Sequence, residues 1–319
     1  MASFRGAVRR MRRTLGLPPV APTILMYHRI AEPLVDPWGL AVSPAWFRKQ
    51  MVDLRRFRSP MPLDELIRGA QGGSVPANAV AVTFDDGYFD NLVNAKPVLV
   101  EFGIPATLFL ATGSIGQKEE FWWDELAKLT IGWPRASEGK LELAGKVAGW
   151  SFPRYGAPDA AAARQRAHEG LWSLLRTASP RQTRTALLRL RSAIGVAPRS
   201  AIDRAMTEVE LVAWLDGGLT DIGAHTVSHR PLTAVAPEEI EAEVIGSMAR
   251  CRSIAGRGVR GFAYPYGDRS DAVAQLVRAL GVEWACSTNP AALPRCVDDF
   301  NLPRLQVRNG SLRAQWREG

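Results

Sequence analysis

The sequence predicts an α/β fold built on a parallel sheet and interrupted by a helical insertion. Three observations support this. Apolar runs of strand length end in polar residues, the pattern of strands buried on both faces. These runs alternate with helical segments, as crossover connections between parallel strands require. The alternation stops between about 121 and 205 and then resumes.

The first strand is read at 22–28, from Pro22 to His28. Ser43 and Pro44 mark a helix start, a capping hydroxyl followed by a proline at the first helical position, with the helix running through Leu54. A short helical stretch covers 63–68. The run 79–84 is a second buried strand and leads into Asp85-Asp86-Gly87. A helix over 91–102 and a strand over 106–110 complete a strand–loop–helix–strand unit. Inside the interruption, 158–192 is rich in Ala, Leu and Arg and predicts two helices, leucines inward and arginines in solvent. Beyond it come a strand at 219–223, a helix at 237–255, a strand at 261–264, a helix at 270–280, a strand at 284–287 and a last short strand at 305–307.

The 319 residues suffice for one large domain with its own core. Hydrophobic content of 46% and charged content of 23% are those of a globular protein. They exclude a disordered or membrane-spanning chain, and no apolar run reaches bilayer length. The three cysteines are far apart and odd in number, which excludes a disulfide framework and predicts buried free thiols. The net charge is +8, and Arg5, Arg9, Arg10, Arg12 and Arg13 supply five of these charges within residues 1–20. Such an arm suits an anionic membrane surface, although a frayed terminus has the same composition. No aromatic–basic nucleic-acid motif accompanies it. The expected organisation is a basic arm at 1–20 and one domain at 21–319 with an insert at about 121–205. No export signal is read, so the expected location is cytoplasmic, with the membrane face as an option open to the basic arm.

Two motifs carry chemistry. Thr83-Phe84-Asp85-Asp86-Gly87 places adjacent carboxylates at a strand end, where they repel one another and lose hydration; a divalent cation relieves both costs. The same tripeptide also occurs as a plain turn or helix cap. His225-Thr226-Val227-Ser228-His229 holds two of only four histidines. If it forms one helical turn, both imidazoles face one side. Two imidazole nitrogens and one carboxylate oxygen make a three-ligand zinc site with a position open for water, the arrangement of a catalytic centre. The second carboxylate is then free to act as a base.

These pieces, with Tyr27-His28, Pro105-Ala106-Thr107-Leu108-Phe109 and Phe262-Ala263-Tyr264-Pro265-Tyr266-Gly267, resemble the polysaccharide deacetylase family. This is the group that shares a homology domain with nodulation chitooligosaccharide deacetylases. The resemblance covers residues 22–115 and 218–308. It implies a distorted (β/α) barrel of the seven-stranded type. It implies Asp86, His225 and His229 as ligands of a divalent metal, zinc first, with Asp85 as base and the Tyr266 backbone N–H as oxyanion donor. The implied activity is removal of acetyl groups, N-acetyl before O-acetyl, from an acetylated carbohydrate.

The sequence departs from the family pattern twice. Ala263 stands where many members have an arginine that orients the base, and no histidine follows His229 to serve as the late acid. Arg304 is the expected substitute partner of Asp85. His28 is the remaining strand-end histidine available as the acid, unless Asp85 returns the proton itself. Trp122, Trp123, Tyr264 and Tyr266 are candidates to line a sugar cleft or to pack in the core, and Asp124 either contacts substrate or starts a helix. Hydrolysis of another C–N amide and a carbohydrate-binding pseudoenzyme are the alternative functions.

Overall fold

The computed structural model describes residues 21–194, 203–294 and 296–318, so the arginine-rich arm lies outside the described residues. Strands β1 (Thr23–Tyr27), β5 (Ala79–Phe84), β6 (Ala106–Leu110), β9 (Thr220–Ala224), β10 (Gly261–Ala263), β11 (Trp284–Cys286) and β12 (Leu305–Gln306) form one sheet. Their order is β11-β10-β9-β6-β5-β1-β12. Every pairing along it is parallel. A two-residue strand, β4 (Ser59–Pro60), pairs with the start of β5, and outside this sheet β2 (Arg29–Ile30) pairs in parallel with β3 (Ala41–Val42).

The sheet is curled. Ile24 of β1, Ala79 and Ala81 of β5, Phe109 of β6, Ala263 of β10 and Trp284 and Cys286 of β11 share one buried cluster, although β1 and β11 lie far apart in strand order. Only a concave face brings them together. The alternate residues Leu25, Tyr27, Val80, Val82, Phe84, Leu108 and Leu110 pack on the convex side. There they meet α1 (Pro44–Phe57), α3 (Lys96–Phe102), α7 (Glu208–Leu215) and α8 (Pro237–Ala255). Small residues leave room inside: a Cβ at Gly223 would lie 2.6 Å from the Phe109 ring, and one at Gly261 would lie 1.9 Å from the Trp284 ring.

Between the two end strands, Leu302 bridges in parallel to Cys286 of β11, and the chain then passes into β12 beside β1. Four backbone bonds hold this seam: Ala285 N–H to Asp299 O at 2.7 Å, Ser287 N–H to Leu302 O at 2.9 Å, Leu302 N–H to Ala285 O at 3.0 Å and Arg304 N–H to Asn289 O at 3.0 Å. The fold is thus the distorted parallel barrel with surrounding helices that the sequence implies.

Local sequence explains the helix starts. Ser43 Oγ accepts the Trp46 N–H at 3.3 Å ahead of Pro44. The helix expected over 91–102 is instead a wide π turn at Asn91–Ala95 followed by α3. Pro97 has no N–H to give to residue 93, and the side-chain amides of Asn91 and Asn94 donate to the His28 and Ile30 carbonyls at 3.0 and 2.7 Å. Helix α2 (Leu63–Gln71) packs Leu63, Leu66 and Ile67 into the barrel-interior cluster.

The segment at 121–205 is not purely helical. It contains α4 (Trp122–Thr130), an antiparallel hairpin of β7 (Ser137–Leu143) and β8 (Lys146–Phe152), then α5 (Ala160–Leu175) and α6 (Pro180–Ile194). Leu126, Trp150, Phe152, Leu171, Leu175 and Leu190 anchor its own apolar cluster. One arginine departs from the expected solvated face. Arg164 is buried between the Phe152 and Tyr155 rings and donates to the Thr130, Arg135 and Pro153 carbonyls. Of the three free cysteines Cys251 and Cys286 are buried, but Cys296 is exposed, so the expectation of three buried thiols fails there. No described helix is long and apolar enough to cross a membrane.

The close approach at Gly261 gives a direct test. Gly261→Ala should cost about 1–3 kcal/mol by forcing the Trp284 ring aside, read as a lower urea midpoint at unchanged m-value.

Candidate active site

The carboxyl ends of the parallel strands carry most of the residues to which the sequence reading gave a chemical role. His28 follows β1, Asp85 and Asp86 follow β5, His225 follows β9 and Tyr266 follows β10. Arg304 directly precedes β12. His28, Asp85 and His225 each continue the strand alternation that points into the barrel. The chain turns sharply after β5, with Asp86 at φ 73° and Gly87 at φ 94°. A side chain at Gly87 would also meet Leu110 at 2.8 Å, so only glycine fits this turn without strain.

Asp86, His225 and His229 are buried, and one ligand-type atom from each lies within 4.8 Å of the others. The two Nε2 atoms are 3.7 Å (His225) and 3.2 Å (His229) from Asp86 Oδ1. That oxygen has no hydrogen-bond donor. A buried carboxylate oxygen without a donor is costly, and a cation facing it and two imidazoles removes the cost. His225 Nδ1 lies 2.7 Å from the Ala263 carbonyl, which can only accept, so Nδ1 carries the proton and Nε2 presents its lone pair. Burial lowers the pKa of His225 to about 4, against the opposing pull of Asp85, and keeps the ring neutral. His229 Nδ1 lies 3.3 Å from the Tyr266 hydroxyl. The donor set therefore fits a divalent metal.

The expected helical turn at 225–229 does not form. The segment is a loop with Thr226 at φ 63° and His229 at φ 58°, and these left-handed residues bring the two rings together. Glu243, from α8, holds the loop. Its Oε2 accepts the N–H groups of Val227 and Ser228, each at 2.8 Å, and Oε1 takes the Ser228 hydroxyl. The Thr226 and Val227 carbonyls accept from Thr112 and Gly113 N–H at 3.1 and 2.8 Å. The sequence reading missed Glu243. Its signal was an acid on the buried stripe of α8 with Ile240, Val244, Ser247 and Cys251.

Asp85 meets Arg304 in a two-pronged pair, Nη1 to Oδ1 and Nη2 to Oδ2, both at 2.7 Å. The guanidinium has no solvent exposure. It also donates to the Ser287 carbonyl at 3.0 Å and the Thr83 hydroxyl at 3.3 Å. Burial alone would raise the Asp85 pKa; Arg304, with His225 and His28, more than offsets this and lowers it to about 2. His28 Nε2 stands 4.0 Å from Asp85 Oδ2.

These groups open into a cleft of about 720 Å³. Trp123 and Tyr266 line it, and so do Trp38 and Trp172, which the sequence reading did not select. Tyr264 does not; it is fully buried and packs on Phe262 in the core. Trp122 instead lines a neighbouring cleft of about 650 Å³ that shares Trp123 and His229 with the first. Asp124 is not among the residues lining either cleft. It accepts the Tyr88 hydroxyl at 2.7 Å and faces Arg29 at 3.7 Å, and Tyr88 in turn accepts the Trp123 indole N–H at 2.7 Å. Burial raises the Asp124 pKa to about 7.

Replacing Arg304 by Leu strands a buried carboxylate and should cost about 3–5 kcal/mol in denaturant unfolding. Asp85 titrates at about 2 when folded, below its ordinary 3.8. The stability it contributes is therefore complete above about pH 4 and lost as the pH falls through about 2. Arg304→Lys, which keeps the charge but not the fork, should move acid unfolding to higher pH in a circular-dichroism titration.

The sequence profile of the polysaccharide deacetylase family matches residues 72–132 and 197–285. YxkH of Bacillus subtilis (strain 168), a protein named for this family, is 31% identical over 113 residues, which span 35% of this chain and 39% of that protein. Among solved structures, the Streptococcus pyogenes deacetylase PplD in complex with acetate superposes with a TM-score of 0.59 at 17% identity, over 94% of this chain and 98% of that one. IcaB from Ammonifex degensii gives a TM-score of 0.60 at 18% identity, over 94% and 96%. At these identities the structural likeness speaks for the fold, while the resemblance to the polysaccharide deacetylase family rests on the two profile-matched segments, which hold 150 of the 319 residues, and on the partial match to YxkH.

Proposed function

We propose that this protein is a metal-dependent hydrolase that removes acetyl groups, N-acetyl before O-acetyl, from a sugar, oligosaccharide or polysaccharide. Residues 21–319 would act as one catalytic domain that includes the insert. One observation carries the reading: a buried Asp86–His225–His229 donor set stands beside an ionised, arginine-held Asp85 in a single cleft. Asp86, His225 and His229 would hold the metal, zinc first. A divalent ion bound there supplies Lewis acidity toward the acetyl carbonyl and acidifies water.

The chain's own groups supply the rest. Asp85 takes the proton of the attacking water. Each of its oxygens spends one acceptor direction on Arg304 and keeps another for water. The fork fixes the orientation of the carboxylate, and the low pKa keeps it ionised at neutral pH. The same low pKa makes the protonated form a strong acid, so Asp85 can return the proton to the departing amine. His28, 4.0 Å away, is the second group able to protonate it. The Tyr266 N–H is assigned to the oxyanion that forms at the acetyl carbon.

The test is acetate release from a panel of acetylated glycans, with chelator and metal add-back. Activity should vanish on chelation and return with zinc; activity indifferent to chelation overturns the reading. Asp85→Asn should lower kcat by about 10²–10⁴ while metal content stays at the wild-type level. If both His28→Ala and Arg304→Ala keep full activity, the roles given to those two residues are wrong. Glu243→Ala should weaken metal affinity by about 10–100-fold in competition with a zinc chelator, because the histidine loop loses its clamp.

A further inference from the structure

A line of aromatic rings leaves the candidate metal centre along one wall of the cleft. His229 and Tyr266 are 4.7 Å apart between ring centroids, Tyr266 and Trp172 5.5 Å, and Trp172 and Trp38 4.8 Å. Trp38 is thus separated from His229 by two intervening rings. It is 37% exposed, although burial is the usual fate of so large an apolar ring.

Both indoles are held in place. Trp38 sits on a turn closed by Asp36, whose carboxylate accepts the Leu40 and Ala41 N–H groups, each at 2.9 Å. The next residue, Gly39, has φ 63° and accepts the Gln306 amide at 3.3 Å. Behind Trp38 lies the buried His168 ring, 5.8 Å away. Trp172 comes from α5 in the insert, and the Arg176 guanidinium covers both it and Tyr266, at 5.1 and 5.5 Å. Thr288, Gln306, Arg308 and Gln315 also line the cleft, giving it polar side chains suited to hydroxyl groups. Neither tryptophan lies in a segment that matches the family profile.

We propose that Trp38 and Trp172 form a stacking platform for a sugar ring next to the one that carries the acetyl group. The substrate is then an oligosaccharide or polysaccharide chain, not a free monosaccharide. This rests on the carbohydrate reading above. The C–H face of a pyranose is apolar and slightly positive, and it suits the negative face of an indole. A pre-set platform gains affinity because little side-chain freedom remains to be lost.

The experiment is calorimetric binding of N-acetylglucosamine oligomers, from monosaccharide to pentamer, to the zinc-loaded full chain. Wild-type affinity should rise with length. Trp38→Ala and Trp172→Ala should each remove roughly 3–10-fold of the gain from monomer to pentamer. Trp38→Phe and Trp172→Phe, which keep a ring, should retain most of it, separating stacking from a loss of fold. A wild-type affinity that is undetectable or independent of length overturns the platform, and so do alanine variants with an intact length dependence. Length-dependent binding that is lost in the alanine variants, with no acetate released by wild type, keeps the platform and rejects the deacetylase reading instead.

Discussion

A guanidinium with no solvent exposure and a carboxylate with almost none meet where the two ends of the curled sheet come together. Neither charge would survive there alone. Arg304 compensates the desolvation of Asp85, Asp85 compensates that of Arg304, and the Ser287 carbonyl and Thr83 hydroxyl take further donors. The pair ties the segment before β12 to the end of β5 across the barrel interior, so the contact that ionises the candidate base also reinforces the backbone bonds that close the fold. Buried ion pairs are not in general strong stabilisers, but breaking one from a single side is severe. The fork also solves a problem of chain position. The position where the resemblance implies an arginine holds Ala263, which packs in the barrel-interior cluster, and the guanidinium arrives from the residue just before β12 instead.

The centre is also a concentration of unusual backbone. Six non-glycine residues among those described have positive φ, and Asp86, Thr226, His229 and Tyr266 are four of them. Such conformations cost on the order of 1–3 kcal/mol each and persist where the surroundings over-determine them. Here the surroundings are identifiable: Glu243 under the histidine loop, the Thr112–Gly113 backbone beside it, and the Cys286 carbonyl, which takes the Tyr264 N–H at 3.0 Å just before Tyr266. The donor set is held by the scaffold and does not rely on the local preferences of its own loops.

Most of the barrel was legible in the sequence because its strands are buried on both faces and advertise themselves as uninterrupted apolar runs. Asp85 and Asp86 were legible for a related reason, as two carboxylates where such a run ends. What escaped was non-local. The hairpin at 137–152 carries charged residues such as Glu138, Lys140 and Glu142 on exposed positions, so it lacks an apolar run. The spacing of His225 and His229 pointed to a helix, whereas the rings converge through left-handed residues that no periodicity reveals. Trp38 and Trp172 are 134 residues apart and meet only in the folded chain. Glu243 alone left a mark that could have been read, an acid on an apolar stripe.

The insert has an apolar core of its own, and α5 nevertheless lends one ring to the cleft wall. The reacting groups and part of the cleft wall are therefore written in different stretches of the chain. The strand ends hold the reacting groups under tight mutual constraint, and little there can change without loss. The insert answers mainly to its own packing. Under the proposed function, a lineage built on this scaffold can retune one half of its sugar platform by changing α5 while the reacting strand ends stand still.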